Sequence, residues 1–188
     1  MLIRLRSRGE APYCGVGMRY EHWVRFTWQL NATPTALSPT PRGYNITRAS
    51  SADAEELRKA VARAFVLDPA WNAAIHHVIP MVNGWLDRAF QGAEAIVLAL
   101  RHGTRIIGAT AVLPDSESNL APGPCVLLEY RSRGFGTHLL AHALAALREG
   151  GLPTASAIAQ SGSPAARFLY RKFDGVAADH EVTPLKAA

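Results

Sequence analysis

The chain has 188 residues, of which 48% are hydrophobic and 19% charged, the balance of a one-domain globular protein with a real core. Its formal net charge of +5 favours polyanionic partners without choosing among phosphate-rich cofactors, nucleic acid and membrane surfaces. No apolar run approaches the ~20 residues that a spanning helix needs, so a membrane is not an expected partner.

Residues 1–43 read as an N-terminal arm and linker, and residues 44–188 as the domain. The first 33 residues hold Arg4, Arg6, Arg8, Arg19 and Arg25 against only Glu10 and Glu21. The start lacks the apolar stretch of a secretory signal, and Met18 is a second candidate initiator. Cys14 and Cys125 lie far apart, with neither a CxxC nor a Cys/His pairing at zinc spacing. No disulfide framework and no metal site are therefore expected, and a reducing cytoplasm is the expected compartment. Residues 20–30 alternate aromatics with arginines and suit either a strand or an unfolded arm. Pro34, Pro39 and Pro41 then mark a linker.

From Tyr44 the pattern is regular. Residues 44–48 suit a strand, and Ser50 with Asp53 forms a capping box ahead of Leu57, Val61, Ala64 and Phe65 on one helical face. Pro69 ends that helix, and residues 71–90 carry more helical material, interrupted at Pro80 and Gly84. Residues 96–100 and 105–113 are β-rich runs joined by a short Gly-containing turn, a hairpin signal. A polar loop leads to a short apolar strand at 125–128. Leu139, Leu140, Ala143, Leu144 and Leu147 mark an amphipathic helix ended by Gly150 and Gly151. Residues 154–160 suit another strand and 164–172 another helix, with Pro164 in its first turn. The order is mixed α/β.

Chemistry concentrates between the strand at 125–128 and the helix that follows, in Arg131-Ser132-Arg133-Gly134-Phe135-Gly136-Thr137. Glycines let the backbone approach a ligand, and the unpaired N–H groups of a helix start point at the same place. With the helix dipole they form a site for a pyrophosphate, and Arg131 and Arg133 would add charge at its rim. A P-loop would need Gly-Lys-Ser/Thr, which is absent, and a dinucleotide fingerprint would need Gly or Ala where Leu139 stands.

Residues 126–140 resemble the acetyl-CoA signature of the GNAT acyltransferases, an Arg/Gln-x-x-Gly-x-Gly/Ala loop behind a strand. Ser163-Pro-Ala-Ala166-Arg-Phe-Leu-Tyr170-Arg-Lys172 resembles their second signature, Asn-x-x-Ala-x-x-x-Tyr-x-Lys. The resemblance is specific over 125–173, weaker over 44–113, and does not reach 1–43. It implies a single GNAT-like domain, a mixed central sheet with helices on both faces, and acetyl-CoA or a similar acyl-CoA as cosubstrate. The pantetheine arm would lie between the strands at 125–128 and 154–160, paired with the backbone of Val126 and Leu128. The N–H groups of residues 131–137 would hold the pyrophosphate, Ser163 would add a contact, and Tyr170 would protonate the departing thiolate. The implied reaction is acyl transfer to a primary amine of a small molecule or peptide by direct attack.

Departures accompany the likeness. Ser163 replaces the second signature's Asn, and Leu128 replaces the proline that usually ends the strand. Pro122, Gly123 and Pro124 occupy the region where relatives often keep a glutamate base. The remaining base candidates are Glu129, Asp115, Glu117, His76 and His77. The short tail after Phe173 leaves the final strand pair incomplete unless the arm or a partner subunit, as in a homodimer, supplies a strand. Two rival readings stand beside an enzyme. One is a non-catalytic acyl-CoA-binding module. The other, the weakest, is a nucleic-acid-binding arm at residues 19–28, where arginines and aromatics interleave.

Overall fold

Alternation in residues 23–29 is that of a strand with one buried face, and it forms one: β1 (Trp23–Gln29) hides Val24, Phe26 and Trp28 while Trp23, Arg25 and Thr27 are half-buried. A computed structural model describes residues 22–32, 39–71 and 75–180. The basic stretch from Arg4 to Arg19, with Cys14, and the linker residues around Pro34 lie outside the described residues.

A four-stranded antiparallel sheet runs β2 (Tyr44–Arg48), β3 (Ile96–His102), β4 (Arg105–Val112) and β5 (Cys125–Val126), in that order. A second antiparallel sheet has the order β6 (Thr154–Gln160), β1, β7 (Val176–His180). The central place in it belongs to the early strand, whose Phe26 faces Ala157 on one side and Ala177 on the other. Each buried large side chain of β1 contributes roughly 1.5–3 kcal/mol, so the pairing is anchored by Phe26 and Trp28 as well as by backbone bonds. Trp28 also donates its indole N–H to the Lys172 carbonyl at 3.2 Å. Phe26 and Trp28, two of the aromatics that could have stacked on bases, are thus core.

Helices cover both faces of the four-stranded sheet. α1 (Ala54–Val66) and α2 (Ile75–Gln91) pack Leu57, Val61, Val82 and Leu86 against Val97, Ala99 and Ile106. On the other face α3 (Phe135–Glu149) packs Leu139, Leu140 and Leu144 against Leu98, Leu100 and Ile107. The odd and even residues of β3 therefore serve different cores, as strand geometry requires. α1 starts behind the predicted capping box, in which the Ser50 N–H donates to Asp53 Oδ2 at 2.9 Å.

Sequence and structure part at several places: the helix expected at 164–172 is a π-helical turn at Ala165–Leu169 followed by a 3₁₀ turn at Lys172–Asp174, and no break occurs at Gly84. α2 runs unbroken through Pro80, because the ring leaves only the exposed carbonyl of His76 without its helical partner, while Val78, Val82, Leu86 and Ala89 keep a buried stripe. The strand expected at 125–128 stops at Val126. Leu128–Tyr130 is a 3₁₀ turn, and Leu128 is exposed.

Candidate active site

Strands β5 and β6 belong to different sheets, and the reason is local. Along the β6 edge the Ser156 N–H donates to Asn119 Oδ1 at 2.8 Å and the Ile158 N–H to Ser118 Oγ at 3.2 Å. The Asn119 N–H in turn donates to the Ser156 carbonyl at 2.9 Å. The loop carrying Ser118 and Asn119 thus takes the bonds that a neighbouring strand would take, and β5 is left apart. Asn119 itself is fixed by its amide, which donates to the carbonyls of Leu113, Pro114 and Ser116. The gap opens into a cleft of about 860 Å³.

One end of the cleft offers donors. Gly134 caps α3 in a left-handed conformation, φ +82°, with nothing within 4 Å of where a Cβ would point. Ser132, at φ +61°, also sits in that region. The Thr137 and His138 N–H groups bond back to the Gly134 carbonyl, whereas those of Phe135 and Gly136 precede the first helical acceptor and have no backbone partner. Lys172 places its ammonium 3.0 Å from Thr137 Oγ1, a cation beside this positive helix end. Such a cradle suits a phosphate.

Arg131 and Arg133 act differently from simple rim charges. The Arg131 guanidinium donates to the Val126 carbonyl at 3.0 Å, to Asp68 at 3.0 Å and to the Ala64 carbonyl at 2.7 Å. It thereby pins the loop to β5 and to the end of α1, its charge answered by Asp68. Arg133 is exposed, donates to the Glu129 carbonyl at 3.1 Å and lies over the Tyr130 ring. Of the residues assigned to a cofactor from sequence, the cleft is lined by Val126, Arg131, Ser132, Gly134, Phe135, Gly136, Thr137 and Ser163. Leu128 and Arg133 do not reach its wall. Ser163 is buried and its hydroxyl accepts the Ala166 N–H at 3.3 Å, capping the turn that follows.

Midway along, Val126 and Tyr170 face the gap. The Leu127 N–H donates to Ile107 on β4 at 2.9 Å, so by alternation the Val126 N–H looks away from β4, toward the open side. Tyr170 is 2% exposed, its ring set edge-on against Phe26 and Trp28 at 5.3 and 5.4 Å. Burial pushes its phenol well above the ordinary value, and neighbouring Cys125 adds in the same direction. The hydroxyl lies against Gly123, where a Cβ would stand 1.8 Å from it. The segment that lacks a glutamate therefore has a glycine because the phenol occupies the space. Cys125, the one cysteine among the described residues, also lines the cleft. Its thiol donates to the Ala109 carbonyl at 3.3 Å and is pushed up to about 11, chiefly by burial. It is a neutral thiol near pH 7 and a poor nucleophile.

Among the base candidates, only Glu117 lines the cleft, and it is engaged by Arg25. Glu129 is exposed between Arg63 and Arg105 at 3.5 and 3.4 Å, and Asp115, His76 and His77 are exposed elsewhere. His180, at the end of β7, lines the cleft and had no signal in the sequence. Among the described residues no group of His, Cys, Asp and Glu could hold a metal ion, and no helix is long and apolar enough to cross a membrane.

Residues 55–175 match the acetyltransferase (GNAT) family, well over half of the chain, and the protein belongs to that family. Similar folds include a GCN5-related N-acetyltransferase from Kribbella flavida, with 16% identity and a TM-score of 0.54 over 85% of this chain and 56% of the other. Another, from Sphaerobacter thermophilus, has 17% identity and a TM-score of 0.60 over 84% of this chain and 49% of the other. A Drosophila protein gives 13% identity and a TM-score of 0.61 over 85% and 49%. At such identities the likeness is one of fold, and the chain spans about half the length of these structures. No curated protein sequence gave a significant match.

Proposed function

We propose that the protein is an N-acyltransferase that moves an acyl group from acetyl-CoA or a similar acyl-CoA to a primary amine of a small molecule or peptide. One observation carries the reading: a cleft between β5 and β6, which do not pair with each other, with free helix-start N–H groups at one end and a buried tyrosine hydroxyl midway. In it the N–H groups of Phe135 and Gly136 and the Lys172 ammonium would take the pyrophosphate, and the Val126 N–H would pair with the pantetheine.

Bound there, an acyl-CoA supplies a thioester carbonyl for the amine to attack. A C–N bond forms, the C–S bond breaks, the proton leaving nitrogen passes to water, and water supplies the proton that the departing sulfur takes up. Tyr170, whose proton is held tightly by burial, acts chiefly as a hydrogen-bond donor to the sulfur as charge develops on it. A thiol that is neutral at working pH gives Cys125 no part as a relay, which supports direct attack over an acylated enzyme. Release of free thiol from acetyl-CoA in the presence of an amine panel tests the reading. A specific observation favours a second one, a non-catalytic acyl-CoA-binding module: among the described residues both carboxylates lining the cleft, Asp68 and Glu117, are engaged by arginines. Saturable CoA binding without thiol release for any amine would favour that module.

A further inference from the structure

The cleft does not end at Tyr170. Its lining crosses from the α3 side of the four-stranded sheet to the α1/α2 side, where a wall is formed by Trp23, Phe65, Trp71, Met81 and Trp85. These residues come from β1, the end of α1, the turn after it and α2. Trp71 joins them: its ring lies 5.8 Å from Trp23 and 5.5 Å from Phe65, centroid to centroid. Trp23, Phe65, Met81 and Trp85 are each only partly buried, one side packed on the second core cluster that Cys125 also adjoins. Their other sides form the cleft surface next to Cys125.

Charge at this end is already balanced. Among the described residues the lining carboxylates are Asp68 and Glu117; Asp68 is bound by Arg131 at 3.0 Å and Glu117 by Arg25. A polycationic acceptor would find, among the described residues, no lining carboxylate without an arginine partner, whereas aromatic faces suit a flat apolar body and tolerate a single ammonium over a ring. We propose that the acceptor is a primary amine carried on an aromatic ring by a short alkyl arm, its ring seated against Trp71 and Trp85. The inference rests on the acyltransferase reading above, since it assigns the acceptor of that same site.

The test compares 2-phenylethylamine, spermidine and a lysine-containing peptide on the full chain. Steady-state thiol release with acetyl-CoA should give 2-phenylethylamine a kcat/KM at least about tenfold above the other two. Trp85→Ala should raise its KM roughly tenfold, the scale of one lost aromatic contact, while leaving the KM for acetyl-CoA unchanged. Trp85→Leu, which keeps apolar volume but removes the ring, should raise KM in the same direction and covers the case in which the alanine variant fails to fold. Tryptophan fluorescence follows the same amines binding to the protein with and without CoA, so failure of the acyltransferase reading is separable. Saturable binding of 2-phenylethylamine that weakens in Trp85→Leu would support the acceptor assignment even with no turnover. Better binding or turnover of spermidine or the peptide, or an arylalkylamine affinity unmoved by both Trp85 variants, would overturn it.

Discussion

Replacing Gly123 by alanine probes the contact that positions the phenol. The added Cβ would lie 1.8 Å from Tyr170 Oη and 3.2 Å from Cζ. Ordinary contact is about 3.5 Å, so the hydroxyl must shift by roughly 1.5 Å or more. The ring is held between Phe26 and Trp28, which resist the shift. Overpacking of this kind costs about 1–3 kcal/mol of stability, and displacement of a catalytic group by about 1 Å costs on the order of 10²-fold in rate. Gly123→Ala is therefore expected to lower Tm and to lower kcat about as much as Tyr170→Phe, with a smaller effect on acyl-CoA affinity. In the Tyr170→Phe background the oxygen is gone and only the 3.2 Å approach to Cζ remains, so adding Gly123→Ala should cost less stability and little further rate. Thermal denaturation and thiol-release kinetics on the four proteins measure both couplings. Wild-type Tm and kcat in Gly123→Ala, or strictly additive effects in the double variant, would refute the placement of the hydroxyl and its role.

Gly134→Val should abolish acyl-CoA binding in calorimetry, since it puts a branched side chain at φ +82° over the helix start; unchanged affinity would make the loop a mere turn. Cys125→Ala should keep kcat within about threefold, the thiol being neutral at working pH, and mass spectrometry should find no acylated protein; an acyl-Cys125 adduct would contradict direct attack. Glu117→Ala and His180→Ala should each retain substantial activity, against the 10²–10⁴-fold that loss of a general base typically costs, and the rate should climb with pH toward the pKa of the acceptor. A loss of that size with a vanished acidic limb would identify a base. The Ser50 N–H, with Arg101, holds the Asp53 carboxyl at about 2, so its stabilising contribution is complete above the unfolded value of about 4 and is lost as pH falls through 2. Asp53→Asn should flatten the fall of Tm over that window, and an unchanged slope would remove the linkage.

Local features were legible and long-range ones were not. The tight turn into α3 could be read because Gly134 and an apolar helix face at Leu139, Leu140 and Leu144 are written close together in the chain. The strand at residues 23–29 could be read from its alternation, but its seat between β6 and β7 could not, because strand partners 125 or more residues away leave no mark on local pattern. Continuation of α2 through Pro80 was hidden because the loss of one exposed hydrogen bond is local, whereas the buried stripe that outweighs it is tertiary. The Asn119 wedge that separates β5 from β6 looked like an ordinary polar loop. The aromatic wall was invisible for a related reason: Trp23, Phe65, Trp71 and Trp85 stand on four separate segments and meet only in the fold.

The most direct measurement is a crystal structure of the full chain with CoA. The account predicts pyrophosphate oxygens within about 3.2 Å of the Phe135 and Gly136 N–H groups, the pantetheine alongside Val126 between β5 and β6, and the sulfur within hydrogen-bonding reach of Tyr170 Oη. CoA bound elsewhere, or in the cleft with its sulfur remote from Tyr170, would contradict it.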